Sequence, residues 1–179
     1  MSQHKLPVPQ CGTRPRSSRF ARRDGLILLI ALIGPFVGAS AQSIPPDRDG
    51  LEKGEGLGMA LPAELNGYPG PKHVLELKDS LSLSAAQEKD VTNFFEEMKS
   101  EAIALGKAII SAEENLNEAF RSGRISEDSL RIRSVEIGKL RGQLRAVHLR
   151  AHLRTKAVLT PMQVEKYMRL RGHVKHAHH

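Results

Sequence analysis

The sequence predicts an all-α protein organised as one long antiparallel helical hairpin with short flanking helices. Three observations predict it. Val91, Phe95, Met98, Ala102, Leu105, Ile109, Ala112, Leu116 and Ala119 recur at alternating steps of four and three, the seam of a long amphipathic helix. Leu83-Ser84-Ala85-Ala86-Gln87 and Leu159-Thr160-Pro161-Met162-Gln163 each place a hydroxyl cap three residues before a glutamine, the signature of a capping box. No β-rich run competes with these signals.

The chain opens on a sorting signal. Arg14, Arg16, Arg19, Arg22 and Arg23 precede a continuous apolar run over residues 26–37, and Ala39-Ser40-Ala41 offers a small-x-small cleavage site. Residues 1–41 therefore read as a cleavable signal peptide, giving a periplasmic protein with no stable membrane anchor; the run is too short for a permanent span. Cys11 lies upstream of that run, so the mature chain has no cysteine. Cleavage removes six Lys/Arg and one Asp, leaving 21 basic against 19 acidic residues, a net charge of +2 instead of +7. That balance, with export, removes the case for a nucleic-acid partner.

Residues 42–72 carry Pro45-Pro46, several glycines and Gly67-Tyr68-Pro69-Gly70-Pro71, and read as a flexible N-terminal segment, either a mobile tail or a loosely docked arm. The helical domain follows over residues 73–172. His73 to Asp79 suits a short helix, and Leu81 and Leu83 can staple onto the helix that Ser84 caps. Phe94, Ile103 and Ile110 widen its seam. Ser122-Gly123 ends it, with Gly123 suited to a left-handed cap, and Ser126 with Glu127 and Asp128 starts the next. A second seam runs through Leu130, Ile137, Leu140, Leu144, Val147, Ala151 and Val158. The short link makes an antiparallel pair the economical structure. Thr160 caps a last helix, Pro161 takes its first position, and Val164, Tyr167 and Met168 face inward. Residues 173–179 form a histidine-rich tail.

Charge divides along the chain. Residues 47–120 hold 7 basic and 15 acidic side chains, and residues 121–175 hold 14 basic and 4 acidic, which favours pairing of the two long helices. One hairpin without tryptophan or disulfide is a thin core, so association into a homodimer is expected to bury the remaining apolar surface.

Two L-[ST]-x-x-Q boxes flanking two long helices resemble the Spy/CpxP superfamily of bacterial periplasmic proteins, named for its LTxxQ motifs. The resemblance spans residues 75–172, with Ser84 in place of threonine in the first box. The superfamily includes ATP-independent chaperones, zinc-binding ZraP proteins and CnrX-like heavy-metal sensors. The resemblance implies a dimer of hairpins acting in the envelope-stress or metal response.

No constellation for catalysis stands out: no cysteine nucleophile, no phosphate-cradling glycine loop, and no serine with an assignable histidine–acid pair. The chain reads as a non-enzyme that requires no cofactor. Two binding functions remain. Arg141, Arg145, Arg150, Arg154 and Lys156 ring the seam around Leu144, a surface suited to holding unfolded acidic-apolar segments of client proteins, as the basic and apolar face of Spy-like chaperones does. The plainer alternative is a basic face that pairs with the acidic first helix. Chaperone action is the first functional expectation.

The second is a metal sensor or metal-resistance protein with a signalling partner in the envelope. His148 and His152 lie one turn apart on one helix face and can present two nitrogens to zinc, nickel or copper. Glu96 is the preferred third ligand from heptad bookkeeping across the hairpin, ahead of Glu97 and Glu101, with the histidines level with Met98 and Phe94. CnrX-like sensors similarly use an H-x3-H before the second box plus a helical glutamate, but this chain has only His73 upstream where they have a second H-x3-H. The alternative is two surface or interface histidines. His173, His176, His178 and His179 form a further, weak metal-binding set.

Overall fold

The computed structural model describes residues 43–172; the expected signal peptide and the histidine-rich tail lie outside them. Regular structure among the described residues is entirely helical: α1 (Arg48–Lys53), α2 (Leu61–Glu64), α3 (Pro71–Glu76), α4 (Lys78–Leu81), α5 (Ala85–Arg121), α6 (Glu127–Val158) and α7 (Pro161–Leu170). No described helix is long and apolar enough to cross a membrane.

The long helices α5 and α6 pack together, and their partners fall in number on one as they rise on the other. Arg141 meets Glu113, Arg150 meets Glu101 and Arg154 meets Glu97, so the two run in opposite directions. Each long helix begins at a serine cap. Ser84 Oγ accepts from the Gln87 N–H at 3.2 Å, and Gln87 Oε1 accepts from the Ser84 N–H at 3.0 Å. Ser126 forms the equivalent box with Ser129, whose hydroxyl stands where glutamine stands in the other two. Gly123, at φ +66°, supplies the left-handed residue that turns the chain between them.

At the opposite end the two sequence boxes meet. Gln87 Nε2 donates to Gln163 Oε1 at 2.8 Å and Gln163 Nε2 donates to Gln87 Oε1 at 3.1 Å. The remaining amide hydrogens go to the Val158 and Leu81 carbonyls, at 2.8 and 3.3 Å. Each glutamine thus completes its own cap and bonds to the other. Behind this clasp, α3, α4 and α7 close the open end of the pair around Val74, Leu81, Val91, Leu159 and Tyr167, with Leu83 and Val158 packed against them.

A second core cluster joins Leu51 of α1 to Ala102, Ile109, Ile110 and Leu144. Residues 43–72 are therefore not a free tail: they fold onto the long helices. Gly106 permits the approach, because a Cβ there would stand 2.2 Å from the Leu51 carbonyl oxygen. Ion pairs fasten the start of this arm. Arg141 donates to both carboxylate oxygens of Asp47, at 2.8 and 3.2 Å, and Arg48 pairs with Glu114 at 2.6 Å. The Arg141 guanidinium holds the Asp47 carboxyl below its ordinary pKa. The expected short helix over residues 73–79 appears as α3 and α4, broken at Leu77.

Candidate functional site

His148 and His152 lie where the arm crosses α6, and both are buried, at 4 and 6% exposure. The cover over them is arm backbone. A Cβ on Gly56 would sit 3.5 Å from His148 Nδ1, and one on Gly70 would sit 2.9 Å from His152 Cε1. The reading of these residues as exposed surface histidines is thereby excluded. Their environments differ. His152 Nδ1 lies 2.7 Å from the Tyr68 carbonyl oxygen, which can only accept, so Nδ1 carries the proton and Nε2 keeps its lone pair in the neutral ring. His148 Nε2 is buried with no hydrogen-bond partner.

Between arm and helices lies a cavity of about 640 Å³ with both imidazoles in its wall. Phe95, Met98 and Lys99 border it from α5; Leu57, Leu61, Glu64 and His73 border it from the arm and α3. Glu64 Oε1 is 3.6 Å from His73 Nε2, and the spot a Gly70 Cβ would fill is 3.0 Å from His152 Nε2 and 3.5 Å from Glu64 Oε1. Glycine at position 70 keeps this spot open.

The predicted third ligand is not there. Glu96 is exposed and does not line the cavity, whereas Lys99, three residues on, does. Glu101 pairs with Arg150 and Glu97 with Arg154, which puts the histidines level with residues 99–103, roughly one and a half turns from the expected Met98 and Phe94. Among the described residues no group of three or more His, Cys, Asp or Glu side chains is already arranged to hold a metal ion. The donor chemistry fits in part: His152 presents a lone pair fixed by a carbonyl on its other nitrogen, the arrangement common to metal-bound imidazoles.

The predicted client-binding set also divides. Leu144 is core, not surface. Arg141 is held by Asp47 and Glu113, Arg150 by Glu101 at 2.6 Å, and Arg154 by Glu97 while it lies over the Phe94 ring. Lys156 sits 3.7 Å from the Tyr68 ring centroid. Arg145 alone of the five is exposed without an ion-pair partner among the described residues. The exposed pairs of Arg150 and Arg154 each contribute little, about 0–1 kcal/mol, but with the part-buried pairs of Arg141 they use the cations the client surface needed. The motif residues Ser84, Gln87, Thr160 and Gln163 cap as expected, and Leu83 and Leu159 pack into the base of the fold. Missed from the sequence were Glu64 and His73 as neighbours of His152; the signal was the glycine-rich arm, whose lack of side chains permits close cover over a helix.

Burial, and next the proximity of His152, push the His148 pKa below its ordinary value. The unfolded chain therefore takes up this proton first as pH falls, so stability present above about pH 6.5 is lost through the folded pKa. Thermal melts from pH 7.5 to 5 should show a falling midpoint for the native chain and a weaker fall for His148→Leu. Equal slopes would mean that His148 does not titrate from a buried site.

No family model, curated protein or solved structure matches the chain.

Proposed function

We propose that the chain is a non-catalytic periplasmic stress protein of the Spy/CpxP type, working as a dimer of helical hairpins that hold unfolded proteins without ATP. The observation that supports this is the turn end of the helix pair. Phe120, Leu130, Ile132 and Val135 are exposed there, the last two at 60 and 66%, and neither core cluster reaches them. Arg133 and Lys139, with Arg145 further along, have no ion-pair partner among the described residues. Apolar side chains grouped with free cations at one end of a helix pair form a surface for acidic-apolar segments. The client surface is thus assigned to the turn end, not to the paired arginines Arg141, Arg150 and Arg154.

The test is suppression of aggregation of an unfolding client. Ile132→Ser/Val135→Ser should lose at least half of the suppression with unchanged helix content, and a chelator should change nothing. Full suppression by that variant would remove the turn end as the client surface.

A second reading, metal sensing at the histidine pair, is supported by the fixed tautomer of His152. Zinc, nickel and copper titrations of a chain lacking residues 173–179 should then show saturable uptake. Uptake should be lost in His148→Ala/His152→Ala and keep its full strength in Glu96→Ala. Flat titrations would end this reading.

A further inference from the structure

We propose that the cavity beneath the arm binds an amphipathic organic monocarboxylate, its head among lysines and its tail along the apolar wall. This goes beyond holding clients at the turn end, and it uses a different part of the fold. Lys53 at the end of α1, Lys72 on α3 and Lys99 on α5 all line the cavity. None of the three has an ion-pair partner among the described residues, although most of the described arginines do. Two carboxylates also line it. Glu64 faces His73, and Glu55 has no cationic partner, so one positive charge remains in excess at the wall. A single negative head balances it.

Further donors border the same space. The N–H groups of Gly56, Leu57 and Gly58 find no hydrogen-bond partner among the described residues, and Leu57 and Gly58 hold left-handed backbone at φ +46° and +75°. Successive free amides in such a loop attract anions. Buried His148, with Nε2 unpartnered, stands in the wall behind them. The rest of the lining is apolar: Leu57 and Leu61 from the arm, Phe95 and Met98 from α5. A volume of about 640 Å³ lies in the usual range for small-molecule sites and admits a tail of about ten carbons. Charge selects the head and the Leu57–Met98 wall selects the tail, so a divalent cation or a small inorganic anion would use only half of the lining.

Decanoate is the probe, titrated below its micelle concentration into the full chain stripped of metal by a chelator. Calorimetry should show one decanoate per chain. Affinity should fall at least tenfold in Lys53→Ala/Lys99→Ala and stay unchanged in Lys107→Ala, an exposed lysine of α5 outside the cavity. Decyltrimethylammonium and decanol should bind at least tenfold more weakly. As a second measurement, saturating decanoate should shift the imidazole resonances of His148 and His152. Absence of saturable heat, equal binding of the cationic or neutral analogue, binding indifferent to Lys53 and Lys99, or unmoved imidazole signals would each overturn the assignment. Loss of client suppression at the turn end leaves all four readouts untouched, so the two proposals fail separately.

Discussion

Gly106→Ala is expected to free the arm from the helix pair while leaving that pair folded. Two opposed effects meet at this residue. A helix-interior glycine is about 1 kcal/mol less favourable than alanine, so the substitution favours α5 itself. The added Cβ, however, would stand 2.2 Å from a backbone oxygen and 2.8 Å from the carbonyl carbon of Leu51, neither of which can rotate away. The arm must lift. Leu51, now 1% exposed, then loses a burial worth about 1.5–3 kcal/mol, and α1, at six residues, cannot persist alone. Hydrogen exchange and limited proteolysis should show residues 43–72 opened, with α5 and α6 still protected. An arm that remains protected in the variant would show that the close approach at Gly106 does not hold it. Release also uncovers His148 and His152, so their solvent exposure should rise together with that of Leu51.

Tyr167→Ala should cost about 3–5 kcal/mol and detach α7. The ring is fully buried at the centre of the cluster that closes the open end, against Val74, Leu81, Val91 and Leu159. Helix α7 has ten residues, too short to be stable without tertiary contacts, and Tyr167 is the residue it buries. Burial pushes the phenol pKa up, so the hydroxyl stays neutral throughout the physiological range. Tyr167→Phe separates ring from hydroxyl and should lie within about 1 kcal/mol of the native chain, because that buried oxygen makes no well-formed hydrogen bond, the Gly70 backbone and the Arg171 side chain only approaching it. Urea denaturation measures both. A cost for Tyr167→Phe as large as that for Tyr167→Ala would assign the stabilisation to the hydroxyl and not to packing.

The long helices and their starts were legible because both signals are local. A hydroxyl with a glutamine three residues on, or an apolar step of four and three, is set by helix geometry alone. Even Val164, Tyr167 and Met168 fell on the buried side of α7 by period. What crossed between elements was less legible. Within α5 the heptad count held, since Val91 and Ala119, at opposite ends of the seam, are both buried. What it did not fix was the alignment of α6 along α5, which lies about five residues from the expected one and leaves Glu96 exposed while Phe95 and Met98 border the cavity. The arm was the larger omission. Its glycines and prolines lack helical period, yet Gly106, beside the α5 seam, marks the place where other backbone comes close. Leu144 and the arginines beside it were correctly placed on α6, but which charges would meet α5 depends on the same alignment.

The glutamine clasp also fixes how the two long helices can slide. Near the turn, contacts between the two long helices join residues close in sequence; Gln87 and Gln163 meet at the far end of the pair, 76 residues apart. A slip of one helical turn, about 5.4 Å, would strand two amides and the Val158 and Leu81 carbonyls without partners at the half-buried end. The apolar seam tolerates several alignments, because apolar contacts carry no direction. The amide pair accepts one. It therefore acts as a register lock, selecting a single alignment from those that the apolar seam alone would allow.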